Sequence, residues 1–208
     1  MSESGDNAHR TFEFDSLDGP RLVGDLAIPP TPRGGAIVCH PHPQYGGTRF
    51  DSVVSALYQA LPSAGFATLR FDFRSEFSGG VGERLDAHAA INELSAAIPD
   101  GPLALVGYSF GAWIALGVSN DRIGAVVAVA PPLAVMSAPP IPSVPTLVLT
   151  PAHDQFSPPT ATEPIITEWR TRGAARVDFE VIDMADHFLA GHTAAVAERA
   201  ATWLDAHL

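Results

Sequence analysis

The segment 107–111, Gly-Tyr-Ser-Phe-Gly, places one serine between two glycines. The apolar run 103–106 before it is typical of a strand, and residues 110–118 are spaced like a helix. In such a strand-turn-helix the serine backbone is strained, and the two glycines avoid collisions with the neighbouring strand and helix. The pattern predicts that Ser109 is a nucleophile above the sheet edge. The backbone N–H of Phe110 is then placed to meet a developing oxyanion.

A serine hydroxyl is a weak nucleophile at neutral pH, so this prediction requires a base and a group that orients the base. His187 follows the last predicted strand and precedes the last predicted helix. Asp154 follows the predicted strand 146–150. Because parallel strands end at the same edge of a sheet, the three residues are predicted to meet there. The expected roles are nucleophile for Ser109, general base for His187 and orienting acid for Asp154.

Each of these assignments has an alternative. A Gly-x-Ser-x-Gly segment can arise by chance in a chain with 18 glycines, although the flanking strand and helix disfavour that explanation. Asp154 is also suited to cap a short turn, and His187 is also suited to a surface loop. Asp183 and Asp186 are competing acids because they lie close to His187 in sequence. His192 is the second choice of base.

A second oxyanion donor is expected in the loop 40–48, His-Pro-His-Pro-Gln-Tyr-Gly-Gly-Thr, which follows the predicted strand 35–39. The two prolines have no N–H to donate. By elimination, the backbone N–H of His42 is the best candidate and that of Gln44 is the next. A metal site built from the two histidines of the loop is the alternative, but no carboxylate lies nearby in sequence to complete it.

Short apolar segments alternate with segments of helical spacing along most of the chain. An antiparallel hairpin is predicted at the start, from strands 11–14 and 21–28 around the turn dipeptide Asp-Gly. The predicted buried strands that follow are 35–39, 67–71, 103–107, 125–130, 146–150 and 177–182. The predicted helices are 51–61, 83–98, 110–118, 160–172 and 193–207. This alternation predicts an α/β fold: a mostly parallel central sheet with helices on both faces.

The length of 208 residues fits a single domain, 1–208, of which 1–10 are predicted to form a flexible N-terminal tail. Pro62 and Pro99 are predicted to stop the first two helices. The proline-rich stretch 131–145 is predicted to be a surface connection, because it is unsuited to a helix and too short to fold alone. Its use as a proline-motif ligand is the alternative.

Composition excludes several kinds of partner. The formal net charge is -11, so nucleic acid and anionic membrane surfaces are expected to be repelled. The N-terminal residues are polar, and no apolar run is long enough to cross a membrane, so we expect a cytoplasmic protein. Cys39 is the only cysteine, which excludes an internal disulfide and a cysteine-based metal cluster. It ends an apolar run and is predicted to be a buried structural thiol.

With the serine elbow, the acid and the base in this chain order, the sequence resembles the α/β-hydrolase superfamily from about residue 12 to the end. The His-Pro-His-Pro loop followed by Gly-Gly-Thr resembles a small, capless bacterial group within it, similar to carboxylesterases and dienelactone hydrolases. The resemblance implies a serine carboxylesterase with an open site, since lid domains are commonly inserted where this chain has only 131–145. Residues 49–51 and the short loop 75–82 depart from the pattern of that group.

The function predicted from the sequence is hydrolysis of a small carboxylic ester or thioester through an acyl-enzyme, without metal or cofactor. The aromatic residues predicted to bind substrate are Tyr45, Tyr108, Phe156 and Phe188. A non-catalytic α/β-hydrolase scaffold that binds a small molecule or a protein is the alternative. Esterase, thioesterase and lactonase use the same triad, so the sequence leaves the acyl and leaving groups open. It also leaves open whether the chain forms a homodimer.

Overall fold

The computed structural model of the protein describes residues 8–208. The first strand, β1, is Ala8–Asp15, and it pairs antiparallel with the second strand along its whole length. The prediction of a flexible tail is therefore wrong for residues 8–10, which pair with residues 26–28. Alternating side chains had indicated only 11–14 as a strand, but backbone pairing carries the hairpin three residues further. Residues 1–7 of the predicted tail lie outside the described part of the chain.

In the described part of the chain, one sheet of eight strands forms the centre of the fold. Its strands after β1 are β2 (Arg21–Ile28), β3 (Gly34–Cys39), β4 (Phe66–Phe71), β5 (Leu103–Tyr108), β6 (Ile123–Val129), β7 (Thr146–His153) and β8 (Val177–Asp186). The spatial order is β1-β2-β4-β3-β5-β6-β7-β8. Strand β2 runs antiparallel to both of its neighbours, β1 and β4, and the six strands β3 to β8 pair with one another in parallel. The predicted mostly parallel sheet with an N-terminal antiparallel hairpin is confirmed.

Within residues 8–208, five α-helices cover the two faces of this sheet. They are α1 (Ser52–Ser63), α2 (Val81–Ala97), α3 (Phe110–Gly117), α4 (Pro159–Thr171) and α5 (Thr193–His207). Helices α1 and α5 pack together on one face, and α2, α3 and α4 pack on the other. Each connection between parallel strands crosses a face of the sheet and returns to the opposite edge. The carboxyl ends of these strands, and the loops that follow them, therefore lie at one edge of the sheet.

The sheet is buried on both faces, and strand β3 shows how the sequence achieves this. Ala36 and Val38 contribute to the core beneath α1 and α5, whereas Ile37 and Cys39 contribute to the core on the opposite face. Side chains of successive strand residues point to opposite faces, so an unbroken apolar run fits a strand covered on both sides. Cys39 is fully buried, and burial raises the pKa of its thiol, as expected of a structural residue.

The first helix does not stop at its proline. Pro62 lies inside the last turn of α1, and the helix ends one residue later at Ser63. Gly65 then turns the chain into β4 with a positive φ of 88°. The prediction that Pro62 ends the helix is thus wrong by one residue, because a proline near the carboxyl end removes a single hydrogen bond from a helix that packing holds in place.

The connection between β6 and β7, residues 130–145, contains neither helix nor strand, so no lid domain is inserted there. It lies against the core through the partly buried Met136, Ile141 and Val144. The indole N–H of Trp113 donates a hydrogen bond of 2.8 Å to the carbonyl of Ser137. The predicted connection is therefore present, and it packs against the core through side-chain and backbone contacts. Within residues 8–208, no helix is both long and apolar enough to span a bilayer.

A buried ionic cluster joins three parts of the fold near the carboxyl edge of the sheet. The guanidinium of Arg74, in the loop after β4, donates to both carboxylate oxygens of Asp86 on α2 and to Asp18 in the β1–β2 turn. It also donates to the hydroxyl of Ser16. The hydrogen bond from Arg74 lowers the pKa of Asp18 to about 2. The cluster fixes where the loop after β4 leaves the sheet.

Substitution Asp86→Asn is expected to lower the free energy of unfolding by about 3–5 kcal/mol, because it leaves the Arg74 charge incompletely paired in a buried place. The side chain of Asp86 is 0% exposed. Urea unfolding of the two proteins measures the difference. Glu168→Gln is the matched control: Glu168 pairs with Arg172 on the surface of α4 and is 59% exposed, so its loss should cost about 0–1 kcal/mol. Equal losses in the two variants would contradict the role assigned to the cluster.

Candidate active site

Ser109 occupies a sharp turn between β5 and α3. Its φ and ψ are 53° and -118°, a backbone conformation that residues other than glycine rarely adopt. The backbone N–H of Ser109 donates to the carbonyl of Val129 on the neighbouring strand at 2.8 Å. Its carbonyl accepts hydrogen bonds from the N–H groups of Ala112 and Trp113 in the first turn of the helix. Both backbone groups of Ser109 are therefore hydrogen-bonded within the fold, and its hydroxyl is the group that projects from the turn.

The two glycines of the segment 107–111 are required by close backbone contacts. A Cβ on Gly107 would lie 2.2 Å from the carbonyl oxygen of Gly111. A Cβ on Gly111 would lie 2.2 Å from the carbonyl oxygen of Cys39 and 2.5 Å from that of His40. These distances are far below van der Waals contact, so neither position tolerates a side chain without movement of the backbone. The steric argument made from the sequence is confirmed at both positions.

Ser109, His187 and Asp154 form one hydrogen-bonded chain. The Oγ of Ser109 lies 2.9 Å from Nε2 of His187, and Nδ1 of His187 lies 2.8 Å from Oδ2 of Asp154. Both His187 and Asp154 are buried, at 5% and 2% exposure, so the alternative of a surface histidine is wrong. Nδ1–H donates to the carboxylate, which leaves the lone pair of Nε2 directed at the serine hydroxyl. This geometry suits proton transfer from the hydroxyl to the imidazole.

Asp154 combines the two roles that the sequence left as alternatives. Its Oδ1 accepts the backbone N–H groups of Phe156 and Ser157, at 2.8 and 2.9 Å, and so caps the turn after β7. Its Oδ2 accepts from His187. Burial by itself would raise the pKa of Asp154, but the hydrogen bonds from His187, Ser157 and Phe156 outweigh it and hold the pKa below its usual value. The carboxylate therefore stays ionised.

The competing residues do not reach the histidine in the same way. Asp186 accepts the backbone N–H of Phe188 at 3.0 Å and is exposed, and Asp183 is also exposed. His192 caps α5, and its Nδ1 lies 3.0 Å from the carbonyl of Ala190. Among residues 8–208, Asp154 is the acid within hydrogen-bonding distance of His187.

Two backbone N–H groups near Ser109 are free to donate to an oxyanion. Phe110 is the first residue of α3, where an N–H has no partner within the helix. In the loop after β3, the N–H of Gln44 donates to Nδ1 of the His42 ring at 3.2 Å, so the second-choice donor is already engaged. The N–H of His42 makes no hydrogen bond to another group of residues 8–208. His42 and Phe110 therefore remain the predicted donors.

The loop 40–49 is clamped at both ends to Asp72 and Phe73, directly after β4. At its start, Nε2 of the buried His40 accepts the backbone N–H of Phe73 at 2.9 Å, while Nδ1 bonds the carbonyl of Pro41. At its end, the backbone N–H of Arg49 donates to Asp72 at 2.7 Å, and its guanidinium pairs with the same carboxylate. Burial lowers the pKa of His40, which keeps it neutral.

These contacts weaken the alternative of a metal site at this loop, because both ring nitrogens of His40 are engaged with backbone groups. No group of three or more possible metal ligands is found among residues 8–208. The structural role of His40 had no signal in the sequence, since its partner lies 33 residues away.

Aromatic side chains flank the serine and histidine on two sides. On one side the ring of His42 packs against Tyr45, Phe77 and Phe110, with centroid distances of 4.5 to 4.9 Å. On the other side Phe156 and Phe188 pack edge-on against His187 at 4.6 and 5.8 Å. Of the predicted substrate-binding residues, Tyr45, Phe156 and Phe188 are exposed at this edge, at 88%, 41% and 60%.

Tyr108 is placed differently from the prediction. Its side chain is 4% exposed, and its hydroxyl donates a hydrogen bond of 2.9 Å to the backbone carbonyl of His187. It therefore lies beneath the site and holds the loop of the histidine instead of lining the entrance. Residue 108 precedes the serine on β5, and side chains alternate along a strand, so neighbours in sequence face opposite ways. Burial raises the pKa of Tyr108, with Asp51, Asp154 and Asp186 adding to the effect.

Comparisons with known proteins agree with this fold. An uncharacterised protein of Rickettsia prowazekii is 31% identical over 191 residues, which cover 83% of this chain and 80% of that protein. A protein of unknown function from Agrobacterium tumefaciens, described as a candidate α/β hydrolase, is 28% identical, with a TM-score of 0.85 over 94% of this chain and 95% of that one. A lidless α/β serine hydrolase from Xanthomonas campestris is 25% identical, with a TM-score of 0.77 over 98% and 97%.

The chain belongs to the α/β-hydrolase superfamily. No protein-family model matches it. As an α/β hydrolase it has the short form of the fold, because the connection at 130–145 carries no lid. The serine, histidine and aspartate arranged at the carboxyl edge of the sheet are able to form and break an acyl bond by the general-base route.

Substitution Tyr108→Phe is expected to lower the free energy of unfolding by about 1–3 kcal/mol, because it leaves the buried carbonyl of His187 without its donor. Tyr58→Phe is the matched control. Its hydroxyl lies 3.3 Å from His9 at a partly exposed site, so we expect a loss below about 1 kcal/mol. Urea unfolding compares the two. If both variants lose the same stability, Tyr108 does not hold the histidine loop.

Proposed function

We propose that this α/β hydrolase is a serine hydrolase that cleaves a small carboxylic ester through an acyl-enzyme on Ser109. The observation that carries the proposal is the hydrogen-bonded chain from Ser109 through His187 to Asp154, at 2.9 and 2.8 Å, on a strained elbow. Serine hydrolases without a lid among the structural relatives support the hydrolase class. The ester specificity is inferred from the site.

In the first step, Oγ of Ser109 attacks the ester carbonyl while Nε2 of His187 takes the hydroxyl proton. The new bond joins Oγ to the carbonyl carbon, and the carbonyl oxygen becomes an oxyanion. The ionised Asp154 stabilises the imidazolium through its hydrogen bond to Nδ1. When the tetrahedral intermediate collapses, the bond to the leaving alcohol breaks, and His187 returns the proton to the alcohol oxygen. The acyl group remains on Ser109.

In the second step, water replaces the alcohol. His187 takes a proton from the water as its oxygen attacks the acyl carbon, and a second tetrahedral intermediate forms. Collapse breaks the bond to Oγ, the proton passes from the imidazolium to Oγ, and a carboxylic acid leaves. Atoms balance as ester plus water giving acid plus alcohol. The residues of the triad return to their starting protonation states.

Both tetrahedral intermediates carry charge on the former carbonyl oxygen. We assign its stabilisation to the backbone N–H groups of Phe110, the first residue of α3, and His42, in the loop after β3. The clamp of loop 40–49 onto Asp72 and Phe73 limits how far the second donor can move. Donors held in place before the reaction need no reorganisation during it, which is the source of their effect on the rate.

Without a lid, the site is bounded by exposed aromatic rings and not by a deep tunnel, which favours small or exposed acyl groups over long lipids. The proposal needs no metal or cofactor, because the triad supplies the nucleophile and both proton transfers. The cytoplasmic location and the alternatives of monomer or homodimer stay predictions from the sequence.

Wild-type protein mixed with p-nitrophenyl acetate or butyrate is expected to release a burst of about one p-nitrophenol per chain, because acylation of Ser109 precedes slower hydrolysis. Mass spectrometry of the quenched protein should show the acyl adduct on the peptide that contains residue 109. Ser109→Ala should lose both burst and adduct. A fluorophosphonate probe should label the wild type and leave the alanine variant unlabelled.

These results distinguish a serine hydrolase from a non-catalytic binding scaffold. Loss of burst, adduct and labelling in Ser109→Ala supports the serine hydrolase. If the wild type shows none of the three, the nucleophile assignment fails and a non-catalytic binding scaffold takes its place.

Substitution Asp154→Asn is expected to lower kcat by about 10²–10⁴-fold, because an amide can hold Nδ1 in the wrong tautomer and does not stabilise the imidazolium. Asp183→Asn, a nearby exposed acid of β8, is the matched control and should keep kcat within about two-fold, since surface substitutions away from a site have small effects. Steady-state rates with p-nitrophenyl butyrate measure both. A large loss in Asp183→Asn with a small loss in Asp154→Asn would reassign the orienting acid.

A further inference from the structure

We infer that the site selects esters with no negative charge near the scissile bond and accepts neutral and cationic ones. The inference rests on the proposed function and narrows its substrate class. It is carried by two observations at the carboxyl edge of the sheet: both arginines of its loops are internally paired, and two exposed acids and several aromatic rings lie on or beside those loops.

Cations are scarce near the triad. The chain contains no lysine, so arginine is its only strongly basic side chain. The loops that follow the six parallel strands within residues 8–208 contain two arginines, Arg49 and Arg74. An anionic substrate would need at least one of them free, because a guanidinium is the usual partner for a carboxylate or phosphate.

Arg49 is committed to the fold. Its guanidinium bonds Asp25 at 3.2 Å and also pairs with Asp72, and its side chain is 14% exposed. The ring of Phe50 covers it, with the guanidinium carbon 4.2 Å from the ring centre. Freeing Arg49 for a ligand would break the clamp that holds loop 40–49, so it is not a substrate cation.

Arg74 is committed in the same way. Its guanidinium is shared between Asp86 and Asp18, and its side chain is 9% exposed. Both arginines at this edge are thus neutralised by carboxylates of the same chain, and neither adds positive potential above the triad.

Acids at the same edge have no cationic partner. Glu76 and Asp186 are exposed, and neither forms an ion pair within the part of the chain that the structure describes. Glu76 precedes Phe77, whose ring packs against His42 at 4.5 Å. Asp186 precedes His187 itself. One acid thus lies next to each aromatic wall, so the unpaired charges of this rim are negative and disfavour an anionic group there.

Arg84, on α2, is an arginine that makes no ion pair within residues 8–208 and packs on α3, the helix that begins after Ser109. Its guanidinium lies 4.5 Å from the ring centre of Trp113 and against Gly117 at the far end of α3. From the rise of a helix, Gly117 lies roughly 12 Å from Ser109 along α3. At that distance the guanidinium does not contact an ester bound at Ser109.

The aromatic walls favour neutral or cationic groups. Phe156 and Phe188 present 41% and 60% of their surface, and Tyr45 presents 88%. Ring faces attract apolar groups and cations, whereas they give no stabilisation to a carboxylate. Esters with apolar or quaternary ammonium groups therefore fit the site. Thioesters whose leaving group carries phosphates fall in the disfavoured class.

Three phenyl acetates test this at pH 8, where histidine side chains carry little charge. They are methyl 4-acetoxybenzoate, which is neutral, 4-acetoxybenzoate, which is anionic, and 4-(trimethylammonio)phenyl acetate, which is cationic. All three form the same acetyl-enzyme, so differences in kcat/KM arise before deacylation. Each value is divided by the rate at which neutral imidazole cleaves that ester, which removes differences in leaving-group reactivity without adding a charge effect of its own.

The corrected kcat/KM of the neutral ester is expected to exceed that of the anionic ester by about ten-fold at low salt, and the gap should narrow in 0.5 M NaCl. The cationic ester should match or exceed the neutral one. Glu76→Gln and Asp186→Asn should each narrow the gap by about two-fold by raising the anionic rate. Glu168→Gln, on the remote surface of α4, is the control that should leave the ratio unchanged.

Equal corrected rates for the three esters, with Ser109 labelled by a fluorophosphonate, overturn the inference and leave the proposed function standing. A preference for the anionic ester that disappears in Arg84→Gln also overturns it, because Arg84 would then serve as a substrate cation. Failure to hydrolyse any of the three esters, together with an unlabelled Ser109, overturns the proposed function and this inference with it.

Discussion

The close approach of the turn at Ser109 to the end of β3 constrains the whole carboxyl edge of the sheet. Gly111 lies so near the carbonyls of Cys39 and His40 that a Cβ would overlap them. This contact holds the start of α3 against the start of loop 40–49, where the ring of His42 packs on that of Phe110, and the backbone N–H groups of these two residues are the proposed oxyanion donors. The strained φ of 53° at Ser109 is kept because β6 and the first turn of α3 hold the flanking backbone.

Contacts between loops, more than contacts within them, give the site its shape. Each of the groups around Ser109 is held by a residue from another strand end: His187 by Asp154 and Tyr108, and loop 40–49 by Asp72 and Phe73. Several of these links use backbone groups as one partner, which leaves little freedom for the side chains that face the substrate. A site without a lid must be rigid in this way, because no further segment closes over it to complete the geometry.

The charge around the site depends on the same contacts between loops. In a chain whose strongly basic side chains are all arginines, the two at the carboxyl edge pair with Asp25, Asp72, Asp18 and Asp86 and so fix loop positions. Arginine suits that role because its planar fork bonds more than one carboxylate at a time. The consequence at the surface is an aromatic and acidic rim beside the triad, whose Asp154 carboxylate is itself ionised. The arginines that fix the loops are thus the same side chains whose pairing leaves no free cation for an anionic substrate in these loops of residues 8–208.

The sequence by itself determined the order of elements, the mostly parallel sheet and the identity of Ser109, Asp154 and His187, because hydrophobic periodicity and the glycine-flanked serine are local patterns. Only the tertiary structure decided which groups the remaining residues contact. Tyr108 is buried under His187, residues 8–10 extend β1, and His40 bonds Phe73, and each of these depends on a partner at least 16 residues away. Such pairings arise from strand order and loop packing, which no short segment encodes.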